Sequence, residues 1–555
     1  MFTEEQLENT VIEYFEELGY NYLPASQLQR DEREVLLLDR LENALMKLNP
    51  GVPMDVLQQT IRKVQHFDTN DVFTNNKVFH KYLTEYVELS AFVNGETENF
   101  SIRLVDWEHP ENNDFLVVNQ LEVIEKESKK IPDIVVYMNG LPLVVMELKS
   151  ASREEVGIED AYKQLKNYMN VHIPSLFYYN AFLVITDGVQ AKAGTITAPL
   201  DRFAAWKKIE LHDEVIENRE LDTMMYGLFN KERMLDVIRN FTLFTNEAKI
   251  MAAYHQYYGM KKAIDSTIRA VATDGRAGVI WHTQGSGKSF SMTFLAGNLM
   301  KHPILKNPTI VVITDRNDLD GQLFGTFSAA REFLRQEPLQ AESRSHVKEL
   351  LKRETGGIIF STIQKFEEET GLLSDRKNII VMVDEAHRSQ YGVDAKYDLE
   401  TGEQKYGYAK YLREALPNAT FIAFTGTPIE TTDKSTTGLF GDIIDVYDMT
   451  QAVHDGATVK IYYESRIAKV KLDEEKMDEI DREYWRMQVY EGVEAYTVEE
   501  SQKRLSRMEQ IIGDDDRIRQ VVADIIQHYE ERQNLVAGKA MIVAYNRNTA
   551  YKMYK

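Results

Sequence analysis

Apolar residues Leu7, Val11, Ile12, Phe15 and Leu18 recur at helical spacing and Gly19 follows them, so the chain is expected to open with an amphipathic helix over 4–18 that stops at a glycine. From about residue 96 the pattern turns to short β-rich runs. The last two, 134–138 and 143–146, flank Asn139-Gly140 and predict a hairpin. A helix at about 158–170 and a strand at 182–186 complete a compact α/β unit.

A different rhythm begins near residue 250. Apolar runs at 279–281, 310–314, 358–361, 379–383 and 421–424 alternate with helical stretches, which indicates a mostly parallel sheet covered by helices on both faces. After about 465 the chain becomes charged and helical, with an acidic run through Asp473, Glu474, Glu475, Asp478 and Glu479. One further apolar strand is expected at 540–545, followed by a polar turn and the start of a helix. The expected division is 1–245, 246–460, a charged helical linker at 461–535, and 536–555 as the beginning of another domain.

Length agrees with this division, since 555 residues exceed what one hydrophobic core usually serves. With 43% hydrophobic and 28% charged residues the chain has the composition of a folded protein. The acidic N-terminus does not read as a secretory signal and no apolar run reaches membrane-spanning length, so a cytoplasmic protein with no membrane partner is expected. The absence of cysteine excludes disulfides and thiolate chemistry. A net charge of −23 disfavours a uniformly basic nucleic-acid surface, but it leaves room for a local basic channel.

Two constellations carry chemistry. The first is His282-Thr-Gln-Gly-Ser-Gly-Lys-Ser289, placed between a strand and a helix as a phosphate-binding loop requires. Backbone amides of Gln284, Gly285, Ser286 and Gly287 would cradle phosphates, Lys288 would reach the outer ones, and Ser289 would offer its hydroxyl to Mg²⁺. The strict pattern has Gly where this chain has His282. The strand at 379–383 ends in Asp384-Glu385-Ala386-His387, at the sheet edge where ligands bind in such folds. Asp384 would hold Mg²⁺ and Glu385 would activate the attacking water.

These residues resemble superfamily 2 helicases and translocases. The resemblance implies ATP as cofactor, Gln256 as an adenine-reading glutamine, Thr314, Arg316 and Thr362 in DNA-backbone motifs, and His387 with Thr425, Gly426 and Thr427 in coupling ATP to DNA. Gln256 also has a plain reading as an exposed helix residue.

The second constellation is Asp133 with Glu147 and Lys149, which resembles the restriction-endonuclease-like fold. That resemblance implies two carboxylates on Mg²⁺ and a lysine assisting an activated water. Glu147 and Lys149, two apart on a strand, face the same side. A plain two-residue Asn139-Gly140 turn would pair Asp133 with Met146 and send Glu147 to the opposite face, so convergence needs an odd-length turn or a bulge. We expect a three-residue loop of Asn139, Gly140 and Leu141. Gln164 and Tyr168 lie four apart on the following helix, either beside the site as positioning residues or packed on the sheet. Glu8 and Glu13 are candidates for a further acidic group, although a solvated face suits them better.

One family joins these cores in this order. The chain resembles the R subunit of type I restriction enzymes, most specifically in Phe115-Leu-Val-Val-Asn-Gln120, Asn139-Gly-Leu-Pro-Leu-Val-Val-Met-Glu-Leu-Lys149 and Asp384-Glu-Ala-His-Arg-Ser-Gln-Tyr391. The resemblance implies double-stranded DNA, methyltransferase (M) and specificity (S) subunits as partners, and ATP-driven translocation coupled to cleavage. Only the first strand of a second motor lobe is expected in this sequence, so it is expected to bind ATP and hydrolyse it poorly. The competing expectations are a helicase whose first domain binds DNA without cutting it, and an inactive assembly module.

Overall fold

The computed structural model describes residues 3–93, 95–150, 157–314, 317–366, 371–386, 396–397, 404–405, 408–427, 438–464, 515–533 and 538–555. Arg316, His387 and the acidic run 473–479 lie outside the described residues.

Helix α1 (Glu4–Glu17) forms as its periodicity predicts, with Leu7, Val11, Ile12 and Phe15 buried. A capping box of Thr3 and Gln6 starts it, and Gly19 turns the chain away at φ +76°. Helix α1 packs on a six-stranded mixed sheet built from β1 (Asn21–Tyr22), β2 (Phe115–Asn119), β3 (Ile134–Met138), β4 (Leu141–Leu148), β5 (Phe182–Thr186) and β6 (Ala191–Gly194), which lie side by side in that order. Every residue of β3, β4 and β5 is buried, consistent with their unbroken apolar runs. Helix α2 (Ile158–Asn167) follows the central hairpin and continues as a turn of π-helix through Tyr168–His172.

The hairpin corrects the expected loop. Asn139 (φ +52°) and Gly140 (φ +79°) form a tight two-residue turn, with Met138 paired to Leu141. One step on, Tyr137 pairs with Pro142, but at the next Val136 pairs with Val144, so Leu143 is an extra residue in a bulge. Proline has no N–H to give to the ladder, and the irregularity falls beside it. The bulge restores the register that a three-residue loop would have produced: Ile134 pairs with Met146, and one step further Asp133 comes beside Glu147. The side chain of Asn139 holds the turn from inside the protein. Its Oδ1 accepts from the Asp114 amide at 2.8 Å and its Nδ2 donates to the Leu104 carbonyl at 2.9 Å.

Gly140 is required twice over, because a Cβ there would lie 2.5 Å from the Leu37 carbonyl oxygen while φ is positive. Gly140→Ala is therefore expected to lower the unfolding free energy by about 2 kcal/mol. Denaturant melts showing a change within a few tenths of a kcal/mol would contradict this account of the turn.

Helix α3 (Tyr254–Ala272) introduces a second, seven-stranded sheet. Its strands are β7 (Arg276–His282), β8 (Thr309–Thr314), β9 (Pro338–Gln340), β10 (Ile358–Thr362), β11 (Ile379–Val383), β12 (Thr420–Thr425) and β13 (Ile443–Tyr447). Their spatial order is β9-β10-β8-β11-β12-β7-β13 and every pairing is parallel. Successive residues belong to opposite faces: Ile310, Val312, Ile380 and Met382 pack into one apolar core, whereas Val311, Ile313, Val381 and Val383 pack into the other. This is the two-sided RecA-like arrangement expected from the sequence. The short edge strands β9 and β13 were not legible there.

The first of these cores runs without interruption into the N-terminal sheet through Phe241, Tyr257, Trp206 and Phe294. The expected boundary near 245 thus falls inside shared packing, and residues up to 396 with 405–459 form one compact unit. Lys249 lies at that seam, 1% exposed, donating to Asn76 Oδ1 at 3.0 Å and to the Asn180 carbonyl at 2.6 Å.

The second unit comprises 397–404 and 460–555. Its described part includes helices Asp515–Gln533 and Arg547–Tyr554, tied by a Lys552–Asp515 ion pair of 2.7 Å. The strand expected at 540–545 is not formed. Met541 and Val543 are exposed and the segment joins no sheet among the described residues. An apolar run becomes a strand only when a neighbour takes up its amides and carbonyls.

Candidate active sites

The β3–β4 hairpin brings Asp133, Glu147 and Lys149 together at one end of the N-terminal sheet. Lys149 Nζ lies 2.8 Å from Glu147 Oε1, and Asp133 Oδ2 accepts the Leu148 amide at 2.8 Å. Glu147 is fully buried, and its Oε2 has no hydrogen-bond partner. Burial, then the negative charge of Asp133, pushes the Glu147 carboxyl up to about 9, and burial also raises Asp133. Burial by itself would lower Lys149, but Glu147 and Asp133 outweigh it and hold the ammonium above its ordinary range.

A buried carboxylate oxygen with no donor, beside a second carboxylate, fits a divalent cation, which would supply the missing charge. Asp133 and Glu147 could hold Mg²⁺ together. Among the described residues no cluster of three or more carboxylate or imidazole groups forms a ready metal cage.

Gln164 and Tyr168 are at this site. Gln164 Nε2 donates to the Tyr168 hydroxyl at 2.7 Å, and that hydroxyl is pushed up to about 12 by burial and by the charge of Glu147. Neither candidate acid on α1 joins the carboxylates. Glu8 accepts from Asn119 Nδ2 and Gln120 Nε2, both at 2.6 Å, and Glu13 is exposed. Glu4, which sequence reasoning missed, lies 3.3 Å from Lys149 Nζ. Its only signal was its place one helical turn before Glu8.

On the RecA-like sheet, β7 runs into the 282–289 loop and α4 (Lys288–Lys301) begins at the loop lysine. Gly285 (φ +84°) and Gly287 (φ +82°) adopt left-handed backbone conformations that favour glycine. With the start of α4 they form a cradle suited to phosphate. Lys288 Nζ donates to the His282 carbonyl at 3.3 Å and lies 3.9 Å from Glu385 Oε1. Glu385 follows β11 at φ +50°, a conformation unfavourable for a residue with a Cβ and found at functional turns.

Gln256 is buried, contrary to its plain reading, and its Nε2 donates to the Gly287 carbonyl at 3.1 Å. Ser286 is buried, while Gln284 is exposed. Ser289 lies in the first turn of α4, and its carbonyl accepts from Thr293 Oγ1 at 2.8 Å. Asp384 follows β11, its amide bonded to the Ile313 carbonyl at 2.9 Å. Thr425, Gly426 and Thr427 end β12 against the loop: a Cβ on Gly426 would lie 2.8 Å from Lys288 Nζ. Thr314 and Thr362 pair across the ends of β8 and β10 on the same sheet edge. Every described residue of the phosphate-loop constellation except Gln256 therefore lies on a loop, strand end or helix start at that edge, and Gln256 reaches it from α3.

The folds and sites define an α/β protein in which a restriction-endonuclease-like sheet precedes a RecA-like phosphate-loop domain. Residues 1–202 match the family described as type I restriction enzyme R protein N terminus, and residues 255–494 match the SWI2/SNF2 ATPase family. The type I restriction enzyme HindI endonuclease subunit of Haemophilus influenzae is 42% identical over 100% of this chain and 54% of its own length. The SauCOLORF180P endonuclease subunit of Staphylococcus aureus is 24% identical over 82% of this chain and 46% of its own. A fragment of an R subunit from Vibrio vulnificus aligns with 67% of this chain and 55% of its own, at 16% identity and a TM-score of 0.24. The chain belongs to the R, or endonuclease, subunits of type I restriction enzymes, and it spans about half the length of the curated relatives it matches.

Proposed function

We propose that this chain supplies the nuclease and motor of a cytoplasmic type I restriction-modification complex, acting with M and S subunits on double-stranded DNA as a site-specific, ATP-dependent deoxyribonuclease. The observation that carries the reading is the meeting of Asp133, Glu147 and Lys149 at a register set by a bulge, in one unit with a phosphate loop, Asp384 and Glu385 on a second sheet edge. Residues 1–245 would form the nuclease domain, 246–460 the first motor domain and 461–535 a helical connection.

In the nuclease, Asp133 and Glu147 would hold Mg²⁺, and Lys149, as an ammonium, would assist by orienting the attacking water and facing the phosphate while Gln164 and Tyr168 position the DNA strand. Bound Mg²⁺ there supplies charge for the phosphate and lowers the pKa of water. In the motor, the amides of 284–287 and Lys288 would bind the phosphates of ATP, Gln256 would read adenine, and Ser289 with Asp384 would hold the accompanying Mg²⁺. Glu385 orients water for phosphoryl transfer. Thr314, Arg316 and Thr362 grip the DNA backbone, and His387 with 425–427 relays the state of the nucleotide to that grip.

The test mixes the chain, within its full-length protein, with candidate M and S subunits and unmethylated circular DNA. Linearisation that needs both ATP and Mg²⁺ is expected. Cleavage that proceeds equally without ATP, or ATP turnover with intact DNA at all times, would overturn the joint assignment.

A further inference from the structure

The first position of the phosphate loop holds the feature that the ATP reading leaves unexplained. The strict loop pattern has glycine where this chain has His282, and the imidazole is completely buried. Its Nε2 lies 2.8 Å from Asp445 Oδ2, and the other oxygen of that carboxylate, Oδ1, accepts from Lys262 Nζ at 2.9 Å. Three separate elements thus meet on one carboxylate: the loop entrance after β7, the edge strand β13 and the helix α3. Helix α3 is notched to admit them. A Cβ on Gly259 would lie 2.8 Å from Asp445 Oδ2 and 3.1 Å from the His282 ring.

The attachment continues through the backbone. Thr283 donates its amide to the Tyr447 carbonyl at 2.9 Å, and His255 stacks on the Tyr447 ring at 3.8 Å while its Nε2 lies 3.0 Å from the Ser286 carbonyl. The carbonyl of His282 is also the group that receives Lys288 Nζ. Any displacement of residue 282 therefore moves the acceptor that orients the loop lysine. A buried histidine serving only the core would also need a hydrogen-bond partner, but it would not carry on its own carbonyl the contact that orients the loop lysine. Here its charge-assisted bond ends on the carboxylate that also anchors α3, the helix carrying Gln256.

We propose that His282 is a positioning residue for ATP: through Asp445 and Lys262 it clamps the entrance of the phosphate loop to β13 and α3 and so sets where Lys288 points. The inference rests on the reading that this loop binds ATP. Glycine at 282 restores the strict pattern and removes the clamp, so it separates a loop that only needs its glycines from one that depends on the latch.

The experiment measures binding of a fluorescent ATP analogue to the full chain together with thermal melting. His282→Gly is expected to weaken binding about tenfold, the loss of one buried charge-assisted hydrogen bond. Asp445→Ala should weaken it similarly, and the double variant should bind no worse than the weaker single variant, because both act through one contact. His282→Gln, which keeps a donor near the Nε2 position, should restore most of the affinity. If the glycine variant fails to fold, Asp445→Ala against His282→Gln decides by the same contrast.

Wild-type affinity in a folded His282→Gly variant, or independent addition of the two losses, overturns the inference. Lys288→Ala is the control for the reading beneath it. Binding lost there and kept in His282→Gly leaves the ATP site standing without the latch, whereas binding kept in Lys288→Ala removes the ATP site itself.

Discussion

Replacing Lys149 by alanine in the full-length protein, assembled with its partner subunits, should lower the rate of DNA cleavage by about two to three orders of magnitude. ATP turnover should stay near the wild-type value. The expectation follows from the position of Nζ, 2.8 Å from Glu147 Oε1 at the mouth of a buried carboxylate pair. In the proposed mechanism it is the cation that would face the attacking water and the phosphate. The phosphate loop lies on a different sheet, so its residues keep their neighbours in the variant. Retention of cleavage above about a tenth of the wild-type rate would leave Lys149 a structural partner of Glu147 and remove it from the chemistry. Parallel loss of cleavage and ATP turnover would point to disrupted assembly.

Mg²⁺ binding at Asp133 and Glu147 should be strongly pH-dependent. With the Glu147 carboxyl at about 9 in the metal-free protein, one proton must leave for each ion bound, so affinity should rise about tenfold per pH unit below that value. The same group also shapes stability. Its folded pKa is raised above the ordinary 4.5, so the folded state holds a proton that the unfolded state has lost between those values. Without metal, the stabilising contribution of this group is complete below about 4.5 and declines as pH rises through about 9. Glu147→Gln should abolish both effects: it cannot release the proton, and it removes a metal ligand. Calorimetric Mg²⁺ titrations at several pH values, with matched melts, check the pair of expectations. A pH-independent affinity in the wild-type protein would show that the carboxyl is already ionised before metal arrives.

The parts of the fold that were legible in the sequence are those governed by local periodicity. Helix α1, the buried strands β3, β5, β8, β10, β11 and β12, and the phosphate loop between β7 and α4 follow from apolar spacing and glycine placement over ten or twenty residues. Glu147 and Lys149 facing the same side follows equally from the twofold repeat of a strand. The hairpin shows where this ends. Sequence logic established that Asp133 and Glu147 could converge only through an odd residue, but not where that residue would lie. The bulge at Leu143, in place of a three-residue loop, goes with a two-residue turn held by the buried Asn139 side chain, whose partners lie 25 and 35 residues away, and with Pro142 beside the irregularity.

What the sequence by itself determined is therefore the list of elements, their type and the chemistry they carry: two carboxylates with a lysine, a phosphate loop, and an acidic pair ending an apolar strand. Tertiary structure alone decided which α1 acid approaches Lys149, namely Glu4 rather than Glu8 or Glu13. It also seated β13 beside β7, bringing Asp445 to His282 across 163 residues, and among the described residues it pairs 540–545 with no strand. The physical reason is common to all three. Periodicity reports which face of an element is buried, whereas a side-chain pair or a strand pairing depends on a partner that distant packing puts within a few ångströms, and no local pattern encodes that distance.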